Sequence, residues 1–313
     1  MERAITISRE FGSGGRELGV KLAESLGIPF YDKELISMAA EESDMSEDAF
    51  LHYDENMPFI KDPLDRHFYS PFSSIYQVPM SDQIFLAQSR VIRKLVDLWA
   101  QRFTVLSADE NIRYVFIFEN RGDVVGVTMP HPHGQIYAYP FLPKKLELEL
   151  ENAGRYKEEK GCCLFCDMLQ AEKDFGKRII FENEHFTVFL PFFTEYPYGV
   201  YIMSNRHRSN ITQFDEDERL ALAETLRRAT GMLDSLFGYK FPYMMCMYNE
   251  PVGGIDASDF YHFHIAFYPP MRSADKIKYN ASSETGAWAH CNPTCPEDTA
   301  EELRAAYRRF MGE

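Results

Sequence analysis

The segment that most constrains this chain is Pro-His-Pro-His-Gly-Gln, at residues 130–135. Pro132 excludes a helix here, because its ring fixes φ and removes a backbone N–H donor. Successive side chains alternate in an extended backbone, so His131 and His133 point to the same side. The glycine after His133 lets a ligand approach the backbone closely, and Gln135 adds an uncharged amide beside the second imidazole. The segment therefore predicts an extended strand that presents two imidazoles to a ligand.

These histidines have two interpretations. A neutral imidazole is a nucleophile at pH 7 and can carry a phosphorus group that later leaves, which favours group transfer. Two histidines at this spacing also occur by chance as packed or surface residues of a strand. An apolar run at residues 114–118 predicts a preceding strand, and residues 119–123 are polar. Spacing alone leaves both interpretations open.

A longer pattern surrounds the two histidines. Phe-Glu-Asn at residues 118–120 is followed, thirteen residues after Asn120, by the second histidine of His-Pro-His-Gly-Gln. This combination resembles the galactose-1-phosphate uridylyltransferases, a family of histidine-triad-like nucleotidyl transferases, and the resemblance runs from about residue 96 to the C-terminus. It implies an α+β fold, in which a tandem histidine-triad-like antiparallel sheet has flanking helices. An internal echo agrees with a tandem, because His-Pro-His at 131–133 is matched by His-Phe-His at 262–264.

The resemblance also implies a reaction. In this family the second histidine of the motif attacks the α-phosphorus of UDP-glucose, and the uridylyl group then passes to galactose 1-phosphate. Carried over by position, His133 is the nucleophile, while Gln135 and Thr128 hydrogen-bond the phosphoryl oxygens. Two displacements at one histidine predict ping-pong kinetics.

Three further positions match substrate-binding residues of the family. Asn120 matches a contact near the nucleotide, and Lys278 and Glu284 match hexose-binding positions. Without the resemblance, residues 278–284 would be interpreted as a polar loop after Pro269. The family's uridine pocket and phosphate-binding arginines come from an N-terminal part that has no counterpart in this sequence. The resemblance therefore predicts a uridylyltransferase whose nucleotide pocket is remodelled or impaired.

The N-terminal residues predict a phosphate-binding loop. Residues 3–8 alternate as a buried strand does, and a helical pattern at residues 18–26 stops at Gly27. The turn between them consists of Gly12, Ser13, Gly14, Gly15 and Arg16. Strand, turn and helix bring bare backbone N–H groups to one point, as phosphate binding requires. Arg16 stands where a Walker A motif has lysine, so a plain glycine turn is the alternative.

A second resemblance covers this part of the chain. Residues 5–36 resemble the cytidylate kinase-like family of P-loop kinases, and the likeness continues at residues 82–89. Such kinases need further parallel strands and an arginine-rich lid, which do not follow here. The resemblance therefore implies the front part of an α/β P-loop domain that phosphorylates nothing. The predicted segments are kinase-like residues 1–95, the end of the first uridylyltransferase unit at 96–160, and the second unit at 161–313.

Four residues predict a metal site. Cys163 and Cys166 form a Cys-x-x-Cys pair, and His207 and His262 join them by analogy with the tandem units of the family. Two thiolates and two imidazoles are the usual ligands of tetrahedral zinc, so zinc is the predicted cofactor. A reduced pair of core thiols is the alternative. His131 has no co-ligands that the sequence identifies, because the kinase-like segment occupies their place.

A second metal of the family is not expected here. Some members carry iron, bound by one glutamate and three histidines. The matching positions are Glu149, Tyr248, His264 and Ala266. Two of these four residues are not the required ligands, which argues against iron. His290, Cys291 and Cys295 form a looser group, which we interpret as a turn around Pro293.

Charge and composition exclude several classes of partner. A net charge of −15 without a basic patch argues against nucleic acid or an anionic membrane. No apolar run approaches a membrane span, and residues 1–3 do not open a signal peptide, so a cytoplasmic protein is expected. The family resemblance implies a homodimer. The competing hypotheses are a nucleotide kinase fragment and a non-catalytic fusion protein that binds nucleotide or zinc.

Overall fold

The computed structural model describes residues 80–127 and 134–313, with side chains from residue 92 onward. The predicted site residues outside the described residues are Gly12, Ser13, Gly14, Gly15, Arg16, Thr128, His131 and His133. The chain divides into two units, Met1–Leu95 and Val96–Glu313. The fold that follows is that of the second unit.

Helices and strands alternate irregularly along the described chain. The helices are α1 (Met80–Ser107), α2 (Lys144–Lys160), α3 (Leu164–Phe175), α4 (Glu216–Phe237), α5 (Ser282–Ala287) and α6 (Pro296–Met311). The strands are β1 (Tyr114–Arg121), β2 (Gly134–Tyr139), β3 (Ile179–Glu182), β4 (Phe186–Phe189), β5 (Tyr201–Ser204), β6 (Tyr243–Tyr248), β7 (His264–Tyr268), β8 (Met271–Ser273) and β9 (Lys276–Ile277).

Seven of these strands form one sheet, in the order β2-β1-β6-β7-β5-β4-β3. Every neighbouring pair in it is antiparallel. Strands β8 and β9 form a separate two-stranded hairpin. An antiparallel sheet with flanking helices confirms the predicted α+β fold of this unit.

Helices cover both faces of the sheet. On one face, Leu146 of α2 and Phe165 of α3 are buried in one cluster with Tyr201 of β5. On the opposite face, Asp234 of α4 pairs with Arg121 of β1 at 2.8 Å. Because side chains alternate along each strand, the two sets cannot share a face. The unit therefore has a helix–sheet–helix arrangement with β2 at one edge.

Apolar residues at helical spacing predict a helix at residues 215–237, and α4 confirms it. Asp215 accepts a hydrogen bond from the backbone N–H of Glu218, whose side chain returns to the N–H of Asp215. This capping box satisfies two backbone donors at the start of the helix. Gly238 ends the helix in the left-handed conformation, at φ +78°. Leu222 and Leu226 lie on its buried side.

The apolar run at residues 261–268 predicts a strand, but β7 is shorter and begins at His264. The backbone N–H of Tyr261 donates to the carbonyl of Ala257, and that of Phe263 donates to the carbonyl of Arg208. These backbone N–H groups donate to loop carbonyls and not to a neighbouring strand. The first residues of the apolar run at 261–268 are therefore loop, although the run has the length of a strand.

Three elements were not predicted, and one helix starts early. Helix α3, helix α5 and the β8–β9 hairpin lie in segments that we interpreted as metal ligands or polar loop. The run Val-Asp-Leu-Trp-Ala at residues 96–100 predicts the start of a helix, but that helix, α1, begins at Met80. The expected start was the boundary between two resemblances, and such a boundary does not interrupt a helical hydrogen-bond ladder.

Candidate functional site

The structure brings the four predicted metal ligands together. The ligand atoms of Cys163, Cys166, His207 and His262 all lie within 4.8 Å of one another. The Sγ atom of Cys166 lies 3.2 Å from Nδ1 of His207 and 3.3 Å from Nδ1 of His262. Cys163 immediately precedes α3, and Cys166 lies in its first turn. Two sulfurs and two ring nitrogens converge on one point, which is the donor set of a four-coordinate metal site.

The outer nitrogens of both imidazoles are already engaged. Nε2 of His207 lies 2.7 Å from the carbonyl oxygen of Ser258, and Nε2 of His262 lies 3.0 Å from that of Ser204. A carbonyl oxygen only accepts, so both Nε2 atoms carry the proton and both Nδ1 atoms present a lone pair to the cluster. Such outer hydrogen bonds hold metal-binding histidines in the required tautomer. The residues present therefore fit a bound metal ion.

The two thiols of the cluster shift each other's pKa in opposite directions. Hydrogen bonding from Cys166 lowers the pKa of Cys163 well below its usual range, and the same contact raises the pKa of Cys166. The contact with Cys163 also raises the pKa of His207. Metal ligation requires deprotonated thiols, so a bound cation would take the place of the thiol protons.

Two of the predicted site residues, Asn120 and Gln135, lie on β1 and β2. Gln135 of β2 pairs with Phe118 of β1, and Asn120 follows Phe118 at strand period two. The three side chains therefore share one face of the sheet. The hydroxyl of Tyr137 donates to Oε1 of Gln135 at 3.3 Å. His133 precedes Gln135 by two residues in the sequence and lies outside the described residues.

The predicted hexose-binding residues lie in a separate cavity of about 490 Å³. Lys278 Nζ lies 3.5 Å from Glu284 Oε1; Lys278 is buried and Glu284 is half-buried. Glu284 also accepts from the backbone N–H of Ala281 at the start of α5. The cavity is lined by Arg272, Asp275, Lys276, Ile277, Lys278, Tyr279, Glu284, Cys291 and Pro293. Gln135 and Asn120 do not line this cavity, so the described residues predicted to bind substrate form two groups.

The group around Pro293 has no metal-binding geometry. Cys291 and Cys295 are exposed, and Cys295 immediately precedes α6. The Cys163 cluster is the only group of metal-ligating side chains found within residues 80–127 and 134–313. His290 lies instead 3.5 Å from Glu195. The predicted turn is present, because Asn292 accepts from the backbone N–H of Thr294.

The four positions that match the family's iron ligands do not fit a metal. The His264 ring stacks on Tyr248 at 4.7 Å, and burial lowers its pKa to about 3. Glu149 accepts from the hydroxyl of Tyr261 at 3.2 Å, and desolvation raises its pKa. Position 266 is alanine, which offers no ligand atom. Aromatic side chains pack around these positions, so the residues present do not fit an iron ion.

The positively charged side chain of Lys145 lies beside these four positions. Lys145 Nζ donates to the hydroxyl of Tyr268 at 2.8 Å and lies over the rings of Tyr268 and Tyr248, at 4.9 and 5.4 Å. Its charge also favours the ionised form of Glu149, one helical turn along α2. Sequence reasoning missed Lys145, although Lys145 and Glu149 stand at the i, i+4 spacing of helical ion pairs.

Replacing Lys145 by methionine should lower the free energy of unfolding by about 1–2 kcal/mol, because the change removes a hydrogen-bonded charge from two rings and a carboxylate. Urea unfolding measures the change. The matched control is Lys144→Met on the adjacent lysine, whose solvent-exposed pair with Glu147 should contribute little to stability. Equal losses in the two variants would contradict the assigned role of Lys145.

Comparisons with known proteins identify the family. A family model for the N-terminal domain of galactose-1-phosphate uridyl transferase matches residues 82–143, and one for the C-terminal domain matches 149–281. A solved structure of a uridylyltransferase is 31% identical, with a TM-score of 0.66 over 70% of this chain and 68% of that one. The chain belongs to the galactose-1-phosphate uridylyltransferase family. The predicted resemblance is confirmed.

Curated relatives agree with this family. The galactose-1-phosphate uridylyltransferase of Thermotoga maritima is 45% identical over 213 residues, which are 68% of this chain and 66% of the relative. That of Haemophilus influenzae is 31% identical over 68% of this chain and 60% of the relative. The chain thus spans less than two thirds of the length of these relatives.

The N-terminal resemblance is also found. A cytidylate kinase-like family model matches residues 4–106, and its match overlaps the uridylyltransferase match at residues 82–106. The overlap falls on α1. Within the described residues, every helix is too short or too polar to cross a membrane.

Proposed function

We propose that this chain is a UDP-glucose–hexose-1-phosphate uridylyltransferase, an enzyme that works by ping-pong transfer through a uridylyl-histidine at His133. The observation that supports the proposal is the shared sheet face of Phe118, Asn120 and Gln135 in a member of this family. Gln135 stands two residues after the proposed nucleophile on that face. UDP-glucose and galactose 1-phosphate are the proposed substrates.

The proposed reaction consists of two balanced displacements. A ring nitrogen of His133 forms a bond to the α-phosphorus of UDP-glucose while the bond from that phosphorus to the bridging oxygen breaks. Glucose 1-phosphate leaves with the oxygen and its electron pair. A phosphate oxygen of galactose 1-phosphate then attacks the same phosphorus, and the imidazole leaves. The Gln135 amide and the Thr128 hydroxyl donate to the phosphoryl oxygens as their charge grows.

Lys278 and Glu284 are proposed to bind the hexose phosphate. An ammonium has three donors, so Lys278 can keep its contact with Glu284 and still reach a ligand oxygen. Arg272 and Lys276 add positive charge to the same cavity, which suits a phosphate monoester. The Glu284 carboxylate can accept hydrogen bonds from sugar hydroxyls.

Zinc is proposed at Cys163, Cys166, His207 and His262. Thiolate and imidazole ligands at a four-coordinate site favour zinc over magnesium or calcium, which prefer oxygen. Four protein ligands leave no open coordination position, so the ion would stabilise the fold and take no part in transfer. It would tie the start of α3 to the loop that precedes β7.

The proposed organisation keeps three segments: a kinase-like segment at 1–95, the end of the first uridylyltransferase unit at 96–160, and the second unit at 161–313. No phosphotransfer is proposed for the first segment. A cytoplasmic homodimer is proposed by family likeness.

The test is an exchange assay on the full chain. With UDP-glucose and radiolabelled galactose 1-phosphate, the protein should form labelled UDP-galactose, and initial rates should give parallel double-reciprocal lines. A parallel incubation with ATP and CMP should yield no CDP, which separates transfer from kinase activity. Folded protein that binds UDP-glucose but exchanges nothing would contradict the proposed activity.

A further inference from the structure

The orientation of the Gln135 amide matters for the proposed transfer. Its NH₂ group can donate to a phosphoryl oxygen, whereas its carbonyl oxygen would repel that oxygen. The terminal torsion of glutamine is broad and roughly two-fold, so the residue by itself does not favour the productive orientation. Some neighbouring group must select it.

Tyr137 is placed to make this selection. It lies two residues after Gln135 on β2, so both side chains stand on the same face of the sheet. Its hydroxyl lies 3.3 Å from Oε1 of Gln135. A hydroxyl that donates to Oε1 occupies the carbonyl end of the amide and leaves the NH₂ end for the ligand.

Aromatic neighbours hold the Tyr137 ring in place. The ring meets Phe118 edge to face at 4.8 Å and 83°, and meets Tyr139 at 6.0 Å and 84°. Phe118 is also the cross-strand partner of Gln135. Tyr137 remains 47% exposed, so packing leaves its hydroxyl accessible. The contact between the Phe118 and Tyr137 rings therefore links β1 to the residue that contacts the Gln135 amide on β2.

We propose that Tyr137 is a positioning residue for uridylyl transfer, whose hydroxyl holds the Gln135 amide with its NH₂ group toward the phosphoryl oxygens. The inference rests on the proposed function, because it names a further residue of the same site. Tyr137 itself touches no reacting atom and acts through Gln135.

The first test is the Tyr137→Phe variant, which keeps the ring and removes the hydroxyl. Loss of one such hydrogen bond should lower kcat about 3- to 10-fold and leave the KM for UDP-glucose within about twofold. In a Gln135→Ala background the same change should have no further effect. Tyr139→Phe is the matched control, because it alters the next tyrosine on this face, and it should leave kcat unchanged. Equal loss in both backgrounds would overturn the inference.

A second readout does not depend on activity. In protein labelled with ¹⁵N-glutamine, the Gln135 side-chain NH₂ signals are those that vanish in Gln135→Ala. Tyr137→Phe should shift these signals and Tyr139→Phe should not. Unchanged signals would overturn the positioning role even if the wild-type enzyme is active. Shifted signals in a protein without exchange activity would support the contact while the proposed function fails.

Discussion

Replacing His133 by alanine is expected to abolish uridylyl transfer, with a rate loss of about 10⁴-fold or more. The reason is that the proposed covalent intermediate has no other carrier, since Gln135 and Asn120 are amides and cannot replace an imidazole as nucleophile. The measurement uses UDP-glucose labelled with ³²P at the α-phosphorus. Wild-type protein should retain label after rapid denaturation at alkaline pH, and the variant should retain none.

Two controls make this result specific. UDP-glucose labelled at the β-phosphorus should leave no label on the wild-type protein, because that phosphorus departs with glucose 1-phosphate. His185→Ala changes a half-buried histidine between β3 and β4 and should keep full labelling. Label that persists in His133→Ala, or that maps to His131, would show that the nucleophile is assigned to the wrong residue.

Local features of the sequence predicted the metal cluster only in part. Cys163 and Cys166 are recognisable from their spacing, because one helical turn brings both sulfurs to the same side. His207 and His262 are far away in the sequence, and the tandem analogy alone selected them. Their approach depends on how the loops after β5 and before β7 fold, which local spacing does not encode.

The sequence indicates the other residues that contact these sites weakly or not at all. Tyr137 could have been found, because strand alternation puts it on the face of Gln135. Ser204 and Ser258 offer backbone carbonyls to the cluster, and any residue type could supply such a carbonyl. The strand predicted from residue 261 failed for a related reason, because loop carbonyls compete with strands for backbone donors.

Replacing Cys166 by serine should remove the bound zinc and lower stability strongly. A serine hydroxyl remains protonated at neutral pH and is a poor ligand, so a Cys2His2 site becomes a three-ligand site. Metal analysis of the purified full chain should fall from about one zinc per chain to almost none. Loss of a structural zinc should cost several kcal/mol, which corresponds to a fall in Tm of about 10 °C or more for a unit of this size.

The neighbouring cysteine provides the matched control. Cys162 lies beside the cluster, but its thiol donates to Asp167 at 3.0 Å and is no part of the four-residue group. Cys162→Ser should therefore retain zinc and change Tm by only a few degrees. A chelator should destabilise the wild-type protein and Cys162→Ser alike, and it should have little effect on Cys166→Ser. If all three proteins respond equally, or if the wild-type chain carries no zinc, the cluster is a pair of core thiols with two packed histidines.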